Sequence, residues 1–250
     1  LVGPLLGGFL SELFGYRIPF FITGALMFCV FLSTWLLTVE HFTPIKKEAM
    51  KPMKEIIHNL DNPPLIFVMF LTTMIVTSST MSIDPIISLY VRQLMGGHGN
   101  IAFVAGIVAA TPGLGTLLAA SKVGHTMDRI GPEKVLQIGI LTAFILFIPM
   151  TITKSPWALA FWRFLLGLAN AALMPATQTV LTLDVPTEAF GRIFSYNQSF
   201  QAAGAVLGSI LGSFISGISS YEMVFVITGL TLLLNFILVM LVRPKKQLTE

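Results

Sequence analysis

Eight stretches of this chain are almost wholly apolar: residues 1–10, 18–39, 65–91, 101–121, 135–153, 156–181, 193–216 and 223–242. A bilayer core takes about 20 predominantly apolar residues in a helix, which satisfies its own backbone polar groups where no water can. Membrane β-strands alternate over about ten residues, and seven of these runs stay apolar for roughly twice that length. The expected class is an all-α membrane protein. Only 11% of residues are charged, against about a quarter in a soluble domain. The net charge of +3 is spread along the chain without a dense basic patch, which argues against nucleic acid as a partner. One cysteine, Cys29, lies inside an apolar run, so no disulfide can staple the fold. The first run, about ten residues, is too short to span. It reads as half a helix, and the chain as a fragment.

Lysines and arginines orient the spans. Eleven fall in one set of connections and its tail: Lys46, Lys47, Lys51 and Lys54; Lys122, Arg129 and Lys134; Arg192; Arg243, Lys245 and Lys246. Three fall in the opposite set, Arg17, Arg92 and Lys154. The connection 39–64 and the C-terminus are therefore expected in the cytoplasm. That connection reads as a linker, with a possible surface helix at 52–60 and Pro63-Pro64 opening the next span.

The chain repeats itself. Shifted by 205 residues, positions 3–24 fall on 208–229 without a gap, and ten of the 22 are identical, among them Gly3, Gly7, Phe9, Tyr16, Phe20 and Gly24. The first two spans thus return as the last two, and the repeating unit is six helices. Parallel six-helix halves joined by a cytoplasmic linker describe a two-lobed secondary transporter. The domains expected are residues 1–38 as the end of a first lobe (helices 5–6), 39–64 as the linker, 65–242 as a second lobe (helices 7–12) and 243–250 as a cytoplasmic tail. Four N-terminal helices would then be missing upstream.

Polar residues recur at helical spacing in three spans. Thr73, Thr77, Thr80 and Asp84 share one face; so do Arg163, Gly167, Asn170, Met174 and Gln178; so do Asn197, Gln201, Gly204, Gly208 and Gly212. Such faces either line a wet cavity or join helices to one another. Spans 135–153 and 223–242 show no stripe and suit a lipid-facing place. Gln201, Asn170, Asn197 and Thr77 are candidate substrate contacts. Tyr196 and Phe200 offer aromatic surface to an apolar or cationic solute, or pack between helices. Asp84 is the only carboxylate within a span, near its outer end by residue count. Followed by Pro85, it has the signature of a helix cap, with a proton-carrying role as the alternative. Arg163 either snorkels outward or pairs with a carboxylate or a substrate anion. No metal-ligand spacing, phosphate-binding loop or nucleophile–base cluster suggests a metal, a cofactor or an enzyme.

Three motifs resemble a known family. Gly3-Pro4-Leu5-Leu6-Gly7-Gly8 is similar to the end of the antiporter motif of the major facilitator superfamily, as found in its drug:proton antiporters. Gly124-His125-Thr126-Met127-Asp128-Arg129-Ile130-Gly131 resembles that superfamily's loop motif in its second-half copy, departing at Thr126, Pro132 and Glu133. Arg163 with Gly167 and Ala171 resembles the second-half counterpart of the helix-four motif. The segments Asp128–Lys134 and Gly191–Phe200 are closest to multidrug resistance members.

The resemblance covers nearly all 250 residues. It implies a major-facilitator-type two-lobed helical bundle that exports amphipathic small molecules in exchange for protons, as a monomer in a bacterial cytoplasmic membrane. Asp84 and Arg163 become proton-coupling candidates. Gly3, Pro4, Gly7, Gly8, Gly208 and Gly212 become seams on which lobes rock. Gly124, Asp128, Arg129 and Gly131 become a gating latch, or else a topology anchor. The alternatives are an uptake or exchange carrier for a small metabolite, and a non-transporting membrane scaffold or sensor.

Overall fold

A computed structural model describes residues 2–15, 17–37, 62–186 and 189–242, with side chains from residue 6 onward. Most of the expected linker, with the possible surface helix at 52–60, and the tail lie outside the described residues. Every regular element described is helical: α1 (Val2–Phe14), α2 (Arg17–Leu37), α3 (Pro63–Ile83), α4 (Ile87–Leu94), α5 (Ile101–Ile130), α6 (Pro132–Thr151), α7 (Pro156–Asp184), α8 (Phe190–Ile218) and α9 (Tyr221–Leu241). A 3₁₀ turn, Asp84–Ile86, joins α3 to α4 as one rod of 32 residues. Among the described residues, counting the α3–α4 rod as one, seven helices are long and apolar enough to cross a membrane.

Prolines and glycines punctuate the helices. Pro63, Pro132 and Pro156 open α3, α6 and α7, where a missing N–H costs nothing. Between α5 and α6 the chain reverses at Gly131, whose φ of +88° suits glycine alone. Within α5, Pro112 cannot donate to the Val108 carbonyl, and the Thr111 hydroxyl supplies that bond at 2.9 Å. α5 runs nine residues beyond its expected end at 121, because its last turns carry charges suited to water.

The helices α3–α9 form one bundle. α3 lies along α8, α5 along α7, and α6 between α7 and α9; α9 closes back on α3. The core between them holds Met69, Val76 and Ile83 of α3, Phe147 of α6, Leu173 and Val180 of α7, and Phe225 of α9. α6 exposes Ile138, Leu141, Ile145 and Ile148 along one side, as expected of a lipid-facing helix. α9 does likewise with Val226, Leu230, Leu234 and Ile237. Its other side is more polar than expected: Thr228, Thr231 and Asn235 recur at steps of three and four, and Asn235 is fully buried. Its Oδ1 accepts from Thr72 of α3 at 3.0 Å, and Ser82 and Thr228 share a bond of the same length.

α1 and α2 stand apart from that core. α1 crosses α5, α2 rests on α1, and no described α2 side chain is buried. The repeat is visible in the helix ends. Adding 205 to the end of α1 and the start of α2 gives 219 and 222, each one residue from the observed end of α8 and start of α9.

Candidate functional site

Glycines set how closely the helices approach. A side chain at Gly204, Gly208 or Gly212 would strike the backbone of Met74, Ser78 or Ser82 respectively. The offset is 130 each time, so α8 and α3 run parallel in fixed register. Gly208 and Gly212, expected as surfaces on which lobes rock, therefore lie in a seam inside the α3–α9 bundle. Gly8 is the glycine that meets the crossing helix: a Cβ there would come within 2.9 Å of the Ala102 carbonyl of α5. Gly7 has open space on that side. Gly3 lies within α1, and neither its packing nor the Pro4 side chain belongs to the described part.

The polar stripe of α3 leads to Asp84, which reaches α7. Thr73 and Thr77 are buried, and neither hydroxyl has a protein partner among the described residues. Seven residues beyond Thr77, Asp84 accepts a hydrogen bond from Arg163 Nη2 of α7 at 3.4 Å. The expected cap is not formed: the carboxylate turns to Arg163, and Ile83 occupies the N-cap position of the 3₁₀ turn. The rod continues ten residues beyond Asp84 to Leu94, about 15 Å at 1.5 Å per residue. Pro85 falls in the 3₁₀ turn, and the rod passes through it to end three residues beyond the expected 91.

The pair is asymmetric: the Arg163 side chain is 5% exposed and that of Asp84 47%. Arg163 Nε and Nη1 have no partner among the described residues. α3 and α7 are antiparallel, and their shared fixed point is this pair. Asn170, seven residues after Arg163, therefore sits about level with Thr77, seven before Asp84. Asn170 is half-buried there, and Gln178 farther along is exposed.

The candidate face of α8 divides in two. Asn197 is 4% exposed and shares the buried side with Gly204, Gly208 and Gly212. Gln201 is half-buried at its edge, and Tyr196 is 44% exposed. Phe200 is occupied by its neighbours: its ring stacks on Phe70 at 5.3 Å and meets Phe67 edge-on at 6.3 Å.

A cavity of about 570 Å³ opens between α1, the α3–α4 rod and α5. Gly8 and Ser11 line it from α1, Asp84, Ser88 and Arg92 from the rod, and Ala102 and Gly106 from α5. The exposed side of Asp84 faces this space. None of Gln201, Asn170, Asn197, Tyr196, Phe200 or Thr77 lines it. At the opposite end of α5, Asp128 and Arg129 are exposed in the last turn, Gly124 has room around it, and Gly131 makes the reversal. Asn235 escaped the sequence search, although its spacing from Thr228 and Thr231 was the available signal.

Known proteins share this chain's sequence over most of its length. It is 44% identical over 237 residues to the multidrug resistance protein MdtG of Salmonella arizonae, and equally to those of Salmonella paratyphi B and Salmonella newport. Each alignment covers 95% of this chain and 59% of the relative, so the chain spans about three fifths of the length of the curated relatives it matches. The Major Facilitator Superfamily profile matches residues 1–104 and 94–250. Matched from end to end by that profile, and built of apolar helices that make it an integral, multi-pass membrane protein, the chain belongs to the Major Facilitator Superfamily.

Proposed function

We propose that the protein is a secondary transporter that exports amphipathic small molecules by alternating access, driven by protons. The observation that carries the mechanism is the Asp84–Arg163 pair, a buried guanidinium whose carboxylate partner opens to a cavity, with the buried, unpartnered hydroxyls of Thr73 and Thr77 on the same stripe of α3. A polar stripe is costly in an apolar bundle unless it serves a path or a partner. Multidrug resistance is what the named relatives support as the substrate class.

In this reading α1 and α2 end a first lobe and α3–α9 form the second, joined by the cytoplasmic linker. The lysine and arginine count supports a cytoplasmic α5–α6 corner, with Asp84 and Arg163 toward the outside, and the relatives support a bacterial cytoplasmic membrane. Asp84 carries the proton. Charged, it holds Arg163; protonated, it releases a guanidinium that has no other partner among the described residues. Gln201, Asn170 and Thr77 contact substrate, with Tyr196, Phe200 and Asn197 around them. The α1–α5 crossing at Gly8 is where the lobes move against each other, and Asp128 with Arg129 latches the cytoplasmic side.

Accumulation of a fluorescent amphiphile in cells expressing the intact protein tests this proposal. Expression lowers accumulation, and a protonophore restores it. Accumulation indifferent to both overturns the proposal.

A further inference from the structure

A second hollow opens on the outer surface of the bundle, between α5, α6 and α7, and takes up about 380 Å³. Its walls are largely apolar, with Leu118, Val123, Ile138 and Leu168 among them, and Thr126 and Thr142 between. Leu118 is 62% exposed and Ile138 57%. Hydrocarbon tails are the natural neighbours of such side chains on a helix face that looks away from the bundle. Gly139 lets α6 approach α7 closely beside the groove, since a Cβ there would lie 2.7 Å from Leu173 Cδ2.

One charged residue lines the groove, Lys122. It lies eight residues before the end of α5, about 12 Å from the corner. A lysine stem runs along apolar surface while its ammonium reaches for the polar boundary. Arg129 and Lys134 add positive charge at the same corner, and the acids Asp128, Glu133 and, beside Glu133, Asp184 offset them there. None of these acids lines the groove. The groove therefore joins an apolar slot to a cation on the side that faces lipid.

We infer that this groove holds an anionic phospholipid of the adjoining leaflet, one acyl chain between α5, α6 and α7 and the phosphate against the Lys122 ammonium. Basic pockets between membrane helices at the cytoplasmic boundary suit such headgroups. The net negative headgroup distinguishes this occupant from a zwitterionic lipid, whose own ammonium competes with Lys122. This inference is independent of the exported substrate.

Thermal unfolding of the purified intact protein in detergent tests it, with added dioleoylphosphatidylglycerol compared with dioleoylphosphatidylcholine. The anionic lipid is expected to raise the Tm more than the zwitterionic one. Lys122→Gln, which removes the cation, and Thr142→Trp, which fills the exposed side of the groove, each remove more than half of that difference. Lys134→Gln, at the corner but outside the groove, retains it. Equal responses to the two lipids overturn the inference, and so does an equal loss in Lys134→Gln and Lys122→Gln, which assigns the effect to diffuse charge. Should a variant unfold too early to compare, native mass spectrometry of the wild type decides. One phosphatidylglycerol retained in preference to phosphatidylcholine supports the site, and equal retention overturns it.

Discussion

Arg163 and Asp84 meet at 3.4 Å across α7 and α3, with the arginine sealed in the bundle and the carboxylate open to a cavity. Removing one partner of a buried ion pair costs about 3–5 kcal/mol, because the other charge is left stranded. Water reaches Asp84, so Asp84→Ala is expected to cost about 1–3 kcal/mol, below that range. Asp84→Ala with Arg163→Leu recovers most of the loss in thermal unfolding, since no stranded charge remains. Gradient-driven export separates structure from coupling: it stays absent in the double variant and persists in Asp84→Glu.

The glycine seam predicts a contrast along one helix. Gly212→Ala drives a methyl into the Ser82 backbone, whereas Gly217→Ala meets nothing within 4 Å. Overpacking of this kind costs about 1–3 kcal/mol. Unfolding measured on both variants should show a lowered Tm for Gly212→Ala and little change for Gly217→Ala.

Thr72 and Asn235 tie α3 to α9 inside the bundle. Hydrogen bonds between membrane helices average about 0.6 kcal/mol in double-mutant cycles. The cycle through Thr72→Val, Asn235→Leu and the double variant is expected to give a coupling of that size. A value near zero would mean that this bond adds nothing to the packing of α9 on α3.

The proposed substrate contact by Asn170 and Gln201 makes a separate prediction. Loss of one hydrogen bond costs about 1 kcal/mol, roughly a five- to tenfold loss of apparent affinity. Asn170→Leu and Gln201→Leu should each raise the drug concentration needed for half-maximal export by that factor while expression is unchanged. Unchanged export in both variants removes these residues from the substrate path.

Helix content and the repeat were legible because they rest on signals within one span: apolar runs, and identities in register such as Gly7 with Gly212. What was missed depends on partners far away in sequence. Pro85 made Asp84 look like a cap, since the neighbour that claims its carboxylate is 79 residues distant. Gly208 and Gly212 were assigned to a sliding surface because a small-residue face announces close approach without naming the helix that approaches. Asn235 stood among leucines, and a largely apolar helix suggested lipid on every side. Three residues along α9 were enough to mark the buried side, but only a fold assigns α3 to it.

The constant offset of 130 between α8 and α3 has a mechanical consequence. Three rungs of backbone against backbone, each one helical turn from the next, work like teeth in a rack. Slippage by a single residue would set Cβ atoms where only hydrogen fits, so the two rods translate and tilt together or not at all. Any rearrangement of this molecule must find its give elsewhere.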